Sequence, residues 1–395
     1  MSGIRRKLAV IGAGPMGLFA AFAAARRNLD VTVLERDRVG GSLLSWGRTR
    51  FFSPLEMNVP ADVRGALPGL PSGDALLTGP EMVEQVLMPL SRLPLLYDRI
   101  RLRHRVLGVA RAGLSREDFP GHPVRQEKPF RLLVEAPAEE GRPAGEYLLD
   151  ADLVFDATGA YGLANALGAG GLPAPGERAL DPLIFRRLGD AEAFLETFRA
   201  GRVLLAGHGH SAAHALLALR DSASRNPDVS VTWSLRSRNA RPFRETPDDP
   251  LPGREAVAAA ANALAASPPA FLEIRRASSI VGLEKAGPRL RARFASGAPL
   301  EADAVFSLTG YRPDLAFLSE LALDLSPASQ GTRRLHAVLN GAADCLSVPM
   351  PGPGDLESGE PGFYLLGAKS YGRSGAFLLR DGIRHLESIL KHAAG

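Results

Sequence analysis

A glycine-rich turn between two apolar segments near the N-terminus most strongly constrains how this chain folds. Lys7 to Ile11 is apolar after its first residue, and Gly12-Ala13-Gly14-Pro15-Met16-Gly17 follows it directly. The Ala-rich stretch from Leu18 to Arg27 predicts a helix, and Asp30 to Leu34 predicts a second strand that ends at Glu35. This order of strand, turn, helix, strand and acid is typical of a parallel βαβ unit that binds a dinucleotide.

Each residue type in this pattern has a physical task. Gly12 makes the tight turn, Gly14 lets a pyrophosphate approach the backbone, and Gly17 lets the helix pack on the strand. The helix N-terminus offers free N–H groups and the positive end of its dipole to phosphates. Glu35 follows Gly12 at the distance where an acid accepts hydrogen bonds from ribose hydroxyls. We therefore predict a first dinucleotide site here.

The same pattern recurs near the middle of the chain. Arg202 to Ala206 predicts a strand, Ala213 to Arg220 a helix and Val229 to Leu235 a second strand. The turn between the first strand and the helix reads Gly-His-Gly-His-Ser-Ala from residue 207. Its predicted contacts to a second dinucleotide come from Gly207, Gly209, Ser211 and Ala212.

The end of the second strand differs between the two patterns, because Arg236-Ser237-Arg238 stands where the first pattern has an acid. An acid favours the free 2′-hydroxyl of NAD, whereas arginine and serine favour the 2′-phosphate of NADP. We therefore predict that Arg236, Ser237 and Arg238 select NADPH. A basic loop that faces solvent is the alternative.

Three histidines near the second turn, His208, His210 and His214, have a spacing that also occurs in metal sites. The first two fill the free positions of the glycine pattern, and no nearby Cys or acid completes a ligand set. We predict no metal.

Two such patterns in one chain resemble the flavoproteins with two dinucleotide-binding domains, which include flavin-containing monooxygenases and thioredoxin reductases. Further matching segments are Gly40-Gly41, the crossover Leu153–Gly159, its return counterpart Ala304–Pro313, and Phe363–Gly367 before a helix predicted from Ser374. The resemblance spans nearly the whole chain and implies FAD in the first site and NADPH in the second. It also implies cofactor contacts at Gly41, Thr158, Gly159, Thr309, Gly310 and Gly367.

The resemblance implies an α/β fold class with two Rossmann-type domains, each a three-layer (ββα/βαβ) nucleotide-binding domain. The NADPH domain is expected to be inserted into the FAD domain. The predicted boundaries are 1–165 for the first part of the FAD domain, 166–300 for the NADPH domain and 301–395 for the second part of the FAD domain.

The closing turn supplies the predicted catalytic residues, because the resemblance places it against the isoalloxazine ring. Basic side chains there stabilise the negative charge of reduced flavin. The predicted residues are Lys369, Tyr371 and Arg373. An ordinary surface turn is the alternative. The loop from Trp46 to Asn58 either lines a substrate pocket or covers the cofactor, and both interpretations stay open.

The chain also departs from the well-known members of the family. Ala368 stands where they usually carry an Asp for the ribityl chain. Met16 and Leu18 occupy the region where some low-molecular-weight disulfide reductases carry a Cys. Cys345 is the single cysteine, which excludes an internal Cys-x-x-Cys pair, and we expect it to be inert. No His follows Gly159 at the spacing of the monooxygenase linker.

From these features we expect an NADPH-dependent FAD monooxygenase that acts on a small molecule. One alternative is a reductase or dehydrogenase that passes electrons to an organic acceptor or a small disulfide. The other is a flavin-binding redox sensor without turnover, since a fold alone does not establish an activity.

Charge and hydropathy limit the expected partners and location. The 47 Lys and Arg residues exceed the 43 Asp and Glu residues by a small margin that is spread along the chain, so nucleic acid is not expected. No apolar run reaches the roughly 18 residues that a membrane span needs. We expect a cytoplasmic protein, and a homodimer stays open.

Overall fold

The structure is a computed structural model, and it describes residues 5–138, 143–246, 249–340 and 346–393. Its strands are β1 (Lys7–Ile11), β2 (Asp30–Glu35), β3 (Ile100–Leu102), β4 (Arg105–Arg111), β5 (Phe130–Ala136), β6 (Gly145–Ala151), β7 (Leu153–Asp156), β8 (Ile184–Phe185), β9 (Gly201–Ala206), β10 (Val229–Ser234), β11 (Leu272–Arg275), β12 (Ile280–Ala286), β13 (Arg289–Phe294), β14 (Leu300–Ala302), β15 (Ala304–Ser307) and β16 (Phe363–Leu365). Its α-helices are α1 (Pro15–Ala25), α2 (Gly41–Leu44), α3 (Leu55–Asn58), α4 (Ala61–Ala66), α5 (Gly79–Met82), α6 (Met88–Ser91), α7 (Val124–Glu127), α8 (Leu188–Thr197), α9 (His210–Arg225), α10 (Pro252–Ala266), α11 (Arg333–Asn340) and α12 (Leu379–Ala393).

The first domain is built on a parallel sheet with the strand order β16-β7-β1-β2-β3. Successive side chains of a strand point to opposite faces, so the side chains of β1 pack in two hydrophobic cores. Leu8 and Val10 pack with the helices, whereas Ala9 and Ile11 pack against the antiparallel sheet β4-β5-β6. Burial on both faces explains why β1 is continuously apolar.

The second domain repeats this arrangement with the parallel order β11-β10-β9-β15-β8. Val203 and Leu205 of β9 pack under the helices, whereas Leu204 and Ala206 pack against the antiparallel sheet β12-β13-β14. Each domain therefore has three layers, and the predicted fold class is confirmed.

The strand β15 corrects the boundary that we predicted between residues 300 and 301. It pairs with β9 and β8, so it belongs to the second domain and not to the resumed first one. The turn that precedes it is fixed by Asp303, whose carboxylate accepts a hydrogen bond from the Arg202 backbone N at 2.8 Å. The chain returns to the first domain only after Ser307.

The two linkers between the domains lie side by side. Asn165 donates its backbone N–H to the Gly310 carbonyl at 2.9 Å, and Arg312 donates to the Leu163 carbonyl at 2.9 Å. Residues 163–165 and 309–312 therefore form a short paired crossing beside the carboxyl ends of both sheets.

The last helix starts later than predicted. We expected it from Ser374, but α12 begins at Leu379 because the chain first turns at Gly372, where φ is +66°. The backbone of residues 329–331 presses on this turn so closely that a Cβ on Gly372 would lie 2.1 Å from the Ser329 carbonyl oxygen. In the described part of the chain, no helix combines the length and the apolar character of a membrane span.

Candidate functional site

The first glycine turn contains two glycines that close packing requires and one that packing does not require. A Cβ on Gly17 would lie 1.9 Å from the Gly12 carbonyl oxygen, and one on Gly12 would lie 2.9 Å from the Ala157 carbonyl oxygen. A Cβ on Gly14 would have no neighbour within 4 Å. Gly14 therefore borders open space, as expected where a pyrophosphate approaches the backbone.

The rest of the first cradle lies around the same edge of the sheet. Gly14 directly precedes α1, and no side chain caps the helix there. The first N–H groups of the helix are therefore available to phosphate oxygens. Gly40, next to the predicted contact Gly41, donates its N–H to the Ala13 carbonyl at 3.0 Å. Gly159 has φ of +69° and also borders open space. These residues fit a bound dinucleotide.

Glu35 has a second task that the sequence did not indicate. Its carboxylate accepts hydrogen bonds from the backbone N–H groups of Ala13 at 2.8 Å and Asp37 at 2.9 Å. The acid therefore ties the end of β2 to the glycine turn. A carboxylate has about four acceptor directions, so oxygen lone pairs remain for a ribose.

Lys369 does not take the predicted catalytic role, because its side chain has no exposed surface. The ammonium lies 2.6 Å from Asp156 Oδ2 and donates to Thr158 Oγ1 at 2.9 Å. Thr158 in turn donates to Asp156 Oδ1 at 2.7 Å. The pair fastens the turn Gly367–Lys369 to the crossover segment, because a buried cation requires a buried anion.

The predicted catalytic role of Tyr371 is also not supported by the structure, whereas Arg373 stays a candidate. The Tyr371 side chain is 1% exposed and its ring stacks on His385, so it packs in the core. Burial lowers the pKa of His385 to about 4, which keeps this histidine neutral at ordinary pH. Arg373 is exposed, lines the cavity described below and donates to Gln330 Oε1 at 2.8 Å. Cys345 lies outside the described residues.

The second glycine turn repeats the first. Gly207 has φ of +125°, and a Cβ there would lie 2.2 Å from the Leu308 carbonyl oxygen. Gly209 directly precedes α9, and no side chain caps the helix there. A Cβ on Gly209 would have no neighbour within 4 Å. Ala212 is fully buried, whereas Ser211 is exposed and lines the cavity. The open position is again the one where a dinucleotide would approach.

A cavity of about 730 Å³ runs from this turn to the closing turn of the first domain. At one end it is lined by Arg236 and Ser278, which follow β10 and β11. At the other end it is lined by Tyr161, Asn165 and Arg373. The cavity therefore connects the second dinucleotide turn with the expected place of the flavin.

The three predicted residues that follow β10 lie in different surroundings. Arg236 and Arg238 are both exposed, but only Arg236 lines the cavity. Ser237 Oγ accepts a hydrogen bond from the Asn239 N–H at 3.0 Å. Ser278, which sequence reasoning missed, has a buried Oγ with no hydrogen-bond partner among the described residues.

The loop from Trp46 to Asn58 bridges the two domains. Phe52 packs on the rings of His210 and His214 at centroid distances of 5.3 and 5.7 Å, and Arg48 pairs with Glu196 at 2.5 Å. The cavity lining includes none of the loop residues, so the cavity gives no support to the interpretation that the loop lines a substrate pocket. Within the described residues, no three His, Cys, Asp or Glu side chains form a group that could hold a metal.

Aromatic side chains pack against one another at the junction between the domains. Tyr161 packs against Trp46 at 5.9 Å and against Tyr311 at 4.8 Å between ring centroids. Desolvation by the surrounding protein atoms raises the pKa of Tyr161 to about 12, although the residue is 37% exposed, so its phenol stays protonated and can donate a hydrogen bond. The Tyr311 hydroxyl donates to the Arg186 carbonyl at 2.7 Å. Sequence reasoning did not select either tyrosine.

Comparison with known proteins decides the family. The family described as FAD dependent oxidoreductase matches residues 7–226, more than half of the 395-residue chain. The chain belongs to this family. FAD is therefore its cofactor, and the cradle around Gly14 fits that group because the open glycine positions and the free helix N-terminus face the space a dinucleotide needs.

Solved structures share the family fold over nearly the full length. Bacillithiol disulfide reductase from Bacillus cereus is 17% identical with a TM-score of 0.69 over 99% of both chains. Ornithine N-hydroxylase from Kutzneria sp. 744 is 16% identical with a TM-score of 0.63 over 99% of both chains. A curated relative, an uncharacterized protein from Methanocaldococcus jannaschii, is 45% identical over 51 residues, so the match spans 13% of its length.

Proposed function

We propose that this FAD-dependent oxidoreductase uses NADPH and O2 to oxygenate a small molecule. In the overall reaction NADPH supplies two electrons, one oxygen atom enters the substrate and the other leaves as water with two protons. Bound FAD supplies the two-electron chemistry that links these reactants. The chain binds both dinucleotides, orients them and excludes water.

The second domain supports NADPH as the electron donor. Gly209 and the uncapped start of α9 would hold the pyrophosphate, and Arg236 would meet the 2′-phosphate at the far end of the cavity. The cavity then leads the nicotinamide half towards Tyr161 and the closing turn. The solved structure of ornithine N-hydroxylase, which shares the fold, contains NADP+.

The observation that narrows the route of the electrons is Met16. This residue stands beside the first glycine turn, is 5% exposed, and lies so close to Gly367 that a Cβ there would approach Met16 Cγ to 2.9 Å. A thioether cannot form a mixed disulfide, so a thiol relay cannot start here. Electrons would then leave the flavin directly, towards O2 or towards a bound acceptor.

The aromatic junction favours O2 over the other route. Trp46, Tyr161 and Tyr311 pack edge to face where the linkers meet, and Phe52 of the first domain covers the start of α9. These rings are only partly buried, and Tyr161 is 37% exposed. With both dinucleotides bound, they would help to shield the flavin from water, and a site closed to water suppresses the wasteful release of peroxide.

Rapid mixing of the NADPH-reduced protein with O2 tests the proposal. We expect the oxidised flavin spectrum to return in two phases, with a first rate that depends on O2 concentration and a second that does not. A single slow phase, together with fast anaerobic oxidation by a quinone or a small disulfide, would contradict oxygenation.

The second candidate is a reductase that acts directly on an organic acceptor or small disulfide. The fold likeness to bacillithiol disulfide reductase, with a TM-score of 0.69, favours it. Cys345→Ser separates a thiol-dependent version from the oxygenase. Loss of turnover with FAD and NADPH still bound would assign the chemistry to Cys345 and exclude our first proposal.

A further inference from the structure

A segment of the first domain packs on the second domain through direct backbone contact. The segment consists of residues 45–52, directly after α2, and we call it the strap. A Cβ on Gly189 of α8 would lie 2.5 Å from the Ser45 carbonyl oxygen and 2.8 Å from the Gly47 backbone N. Gly47 has φ of +64°, and a Cβ there would lie 2.8 Å from Gly189 Cα. Two glycines, one from each domain, therefore allow an approach that a Cβ on either would obstruct.

The position of Gly189 in its helix shows that the contact has a cost. Gly189 is the second residue of α8, and glycine is a poor helix former because it loses the most conformational freedom on folding. Gly253 is the second residue of α10 and also lies near the strap, but a Cβ there would meet only Phe52 Cδ1 at 3.7 Å, an ordinary van der Waals distance. Packing of the strap therefore requires a glycine in α8 and does not require one in α10.

The last residue of the strap contacts the helix that follows the second glycine turn. Phe52 stacks on His214 with 17° between the ring planes, and it meets the ring of His210 edge to face. His210 is the first residue of α9, directly after Gly209, and it lines the cavity. The strap therefore contacts the second domain at α8 and again next to the turn where the coenzyme is expected.

Polar contacts add little to this packing. The Arg48 backbone N–H donates to a Glu192 carboxylate oxygen at 3.0 Å, and the Arg48 guanidinium pairs with Glu196 at 2.5 Å. The Arg48 side chain is 84% exposed, so the ion pair is screened by solvent and contributes little stability. Backbone packing at Gly189 and ring packing at Phe52 therefore hold the strap on the second domain.

The relative orientation of the two domains decides whether the coenzyme reaches the flavin. NADPH reduces a flavin by giving it a hydride and leaving as NADP+, so the two rings must come into close contact. The turn at Gly209 belongs to the second domain and the closing turn at Arg373 to the first, and one cavity borders both. A rotation of one domain against the other would change the distance across this cavity without altering either turn.

We infer that the strap holds the second domain in the orientation for hydride transfer to the flavin, with Gly189 and Phe52 as positioning residues. The inference rests on the proposed use of NADPH. Neither residue is among those that line the cavity, so each acts through the placement of α8 and α9. Weakening the strap should therefore slow flavin reduction and leave the affinity for the coenzyme unchanged.

Two measurements on the FAD-loaded protein test this separation of rate from affinity. One is the limiting rate of anaerobic flavin reduction by saturating NADPH, and the other is titration calorimetry with NADP+. Gly189→Ala puts a methyl group against the Ser45 carbonyl oxygen, so the strap must move. We expect the limiting rate to fall about tenfold, because small misplacements of reacting groups slow a reaction strongly, and the dissociation constant of NADP+ to stay within about twofold of the wild type.

Gly253→Ala is the matched control, because it makes the same change at the same position of another helix in the second domain without pressing on the strap. Its limiting rate should equal that of the wild type. Phe52→Ala removes the ring packing and adds no atom, so it keeps the test available if Gly189→Ala does not fold. We expect it to lower the limiting rate about threefold with unchanged NADP+ affinity.

Two results overturn the inference and leave the proposed function standing. One is a wild-type limiting rate in Phe52→Ala or in folded Gly189→Ala. The other is a loss of NADP+ affinity as large as the loss of rate, which would make the strap part of the coenzyme site. A wild-type flavin that NADPH does not reduce would instead overturn the proposed use of the coenzyme, and with it this inference.

Discussion

The two dinucleotide regions have the same backbone plan and different side chains around it. In both, the first glycine has positive φ and is pressed against a neighbouring carbonyl, and the second borders open space. The second strand then ends in Glu35 in one region and leads to Arg236 in the other. Packing therefore explains Gly12 and Gly17 in the first turn and Gly207 in the second, whereas only a ligand explains Gly14 and Gly209.

The crossings that fasten these regions differ more strongly. The first domain joins its crossover and closing turn through the buried ion pair of Asp156 and Lys369. The second joins its linkers through neutral groups of Asn165 and Thr309. A buried ion pair fixes geometry at a large desolvation cost, whereas hydrogen bonds between neutral groups avoid most of that cost. We infer that the first crossing is the more sensitive of the two to the loss of one partner.

The largest expected effect comes from matched substitutions at the two open glycines. Gly14→Val should weaken FAD binding by at least roughly a thousandfold, because the side chain fills the pyrophosphate space. Gly209→Val should leave FAD bound and abolish measurable NADPH binding. FAD content after reconstitution and NADPH titration measure the two effects.

The circular dichroism spectrum should stay unchanged in both variants, since neither new Cβ meets an atom within 4 Å. Loss of FAD from the Gly209 variant, or its retention by the Gly14 variant, would break the assignment of one cofactor to each region.

The next effect concerns the charged crossing. Lys369→Met should lower the free energy of unfolding by about 3 kcal/mol, because it leaves Asp156 buried without its cation. Arg373→Met makes the same change in the same turn at an exposed position and should stay within about 0.5 kcal/mol of the wild type. Denaturant titration measures both. Equal stability of the two variants would show that the pair is not structural.

The smallest effect concerns coenzyme choice. Arg236→Ala should raise the dissociation constant of NADPH about tenfold and leave that of NADH unchanged, because it removes a charge-assisted contact to the 2′-phosphate. Arg238→Ala should have less effect, since both arginines are exposed but only Arg236 lines the cavity. A wild type that prefers NADH would show that this loop was misinterpreted.

Local patterns were sufficient to predict both turns, their strands and the α/β fold, because glycine spacing and apolar strands act over short distances in the chain. The sequence did not predict the partner of Lys369 or the burial of Tyr371, since both depend on contacts between distant segments. The boundary predicted from the sequence also assigned β15 to the wrong domain, because the apolar residues of a strand do not indicate which sheet the strand joins. The orientation of the Asn165 amide follows only from its contact with Thr309.

The central claim is that FAD in the first region accepts electrons from NADPH in the second. Anaerobic mixing of the FAD-loaded protein with NADPH, followed by flavin absorbance, tests it most directly. We expect one equivalent of NADPH to reduce the flavin fully, which is seen as loss of its absorbance. The reduction should be faster with NADPH than with NADH at equal concentration. A flavin that stays oxidised with excess NADPH, in protein that binds both dinucleotides, would contradict the claim.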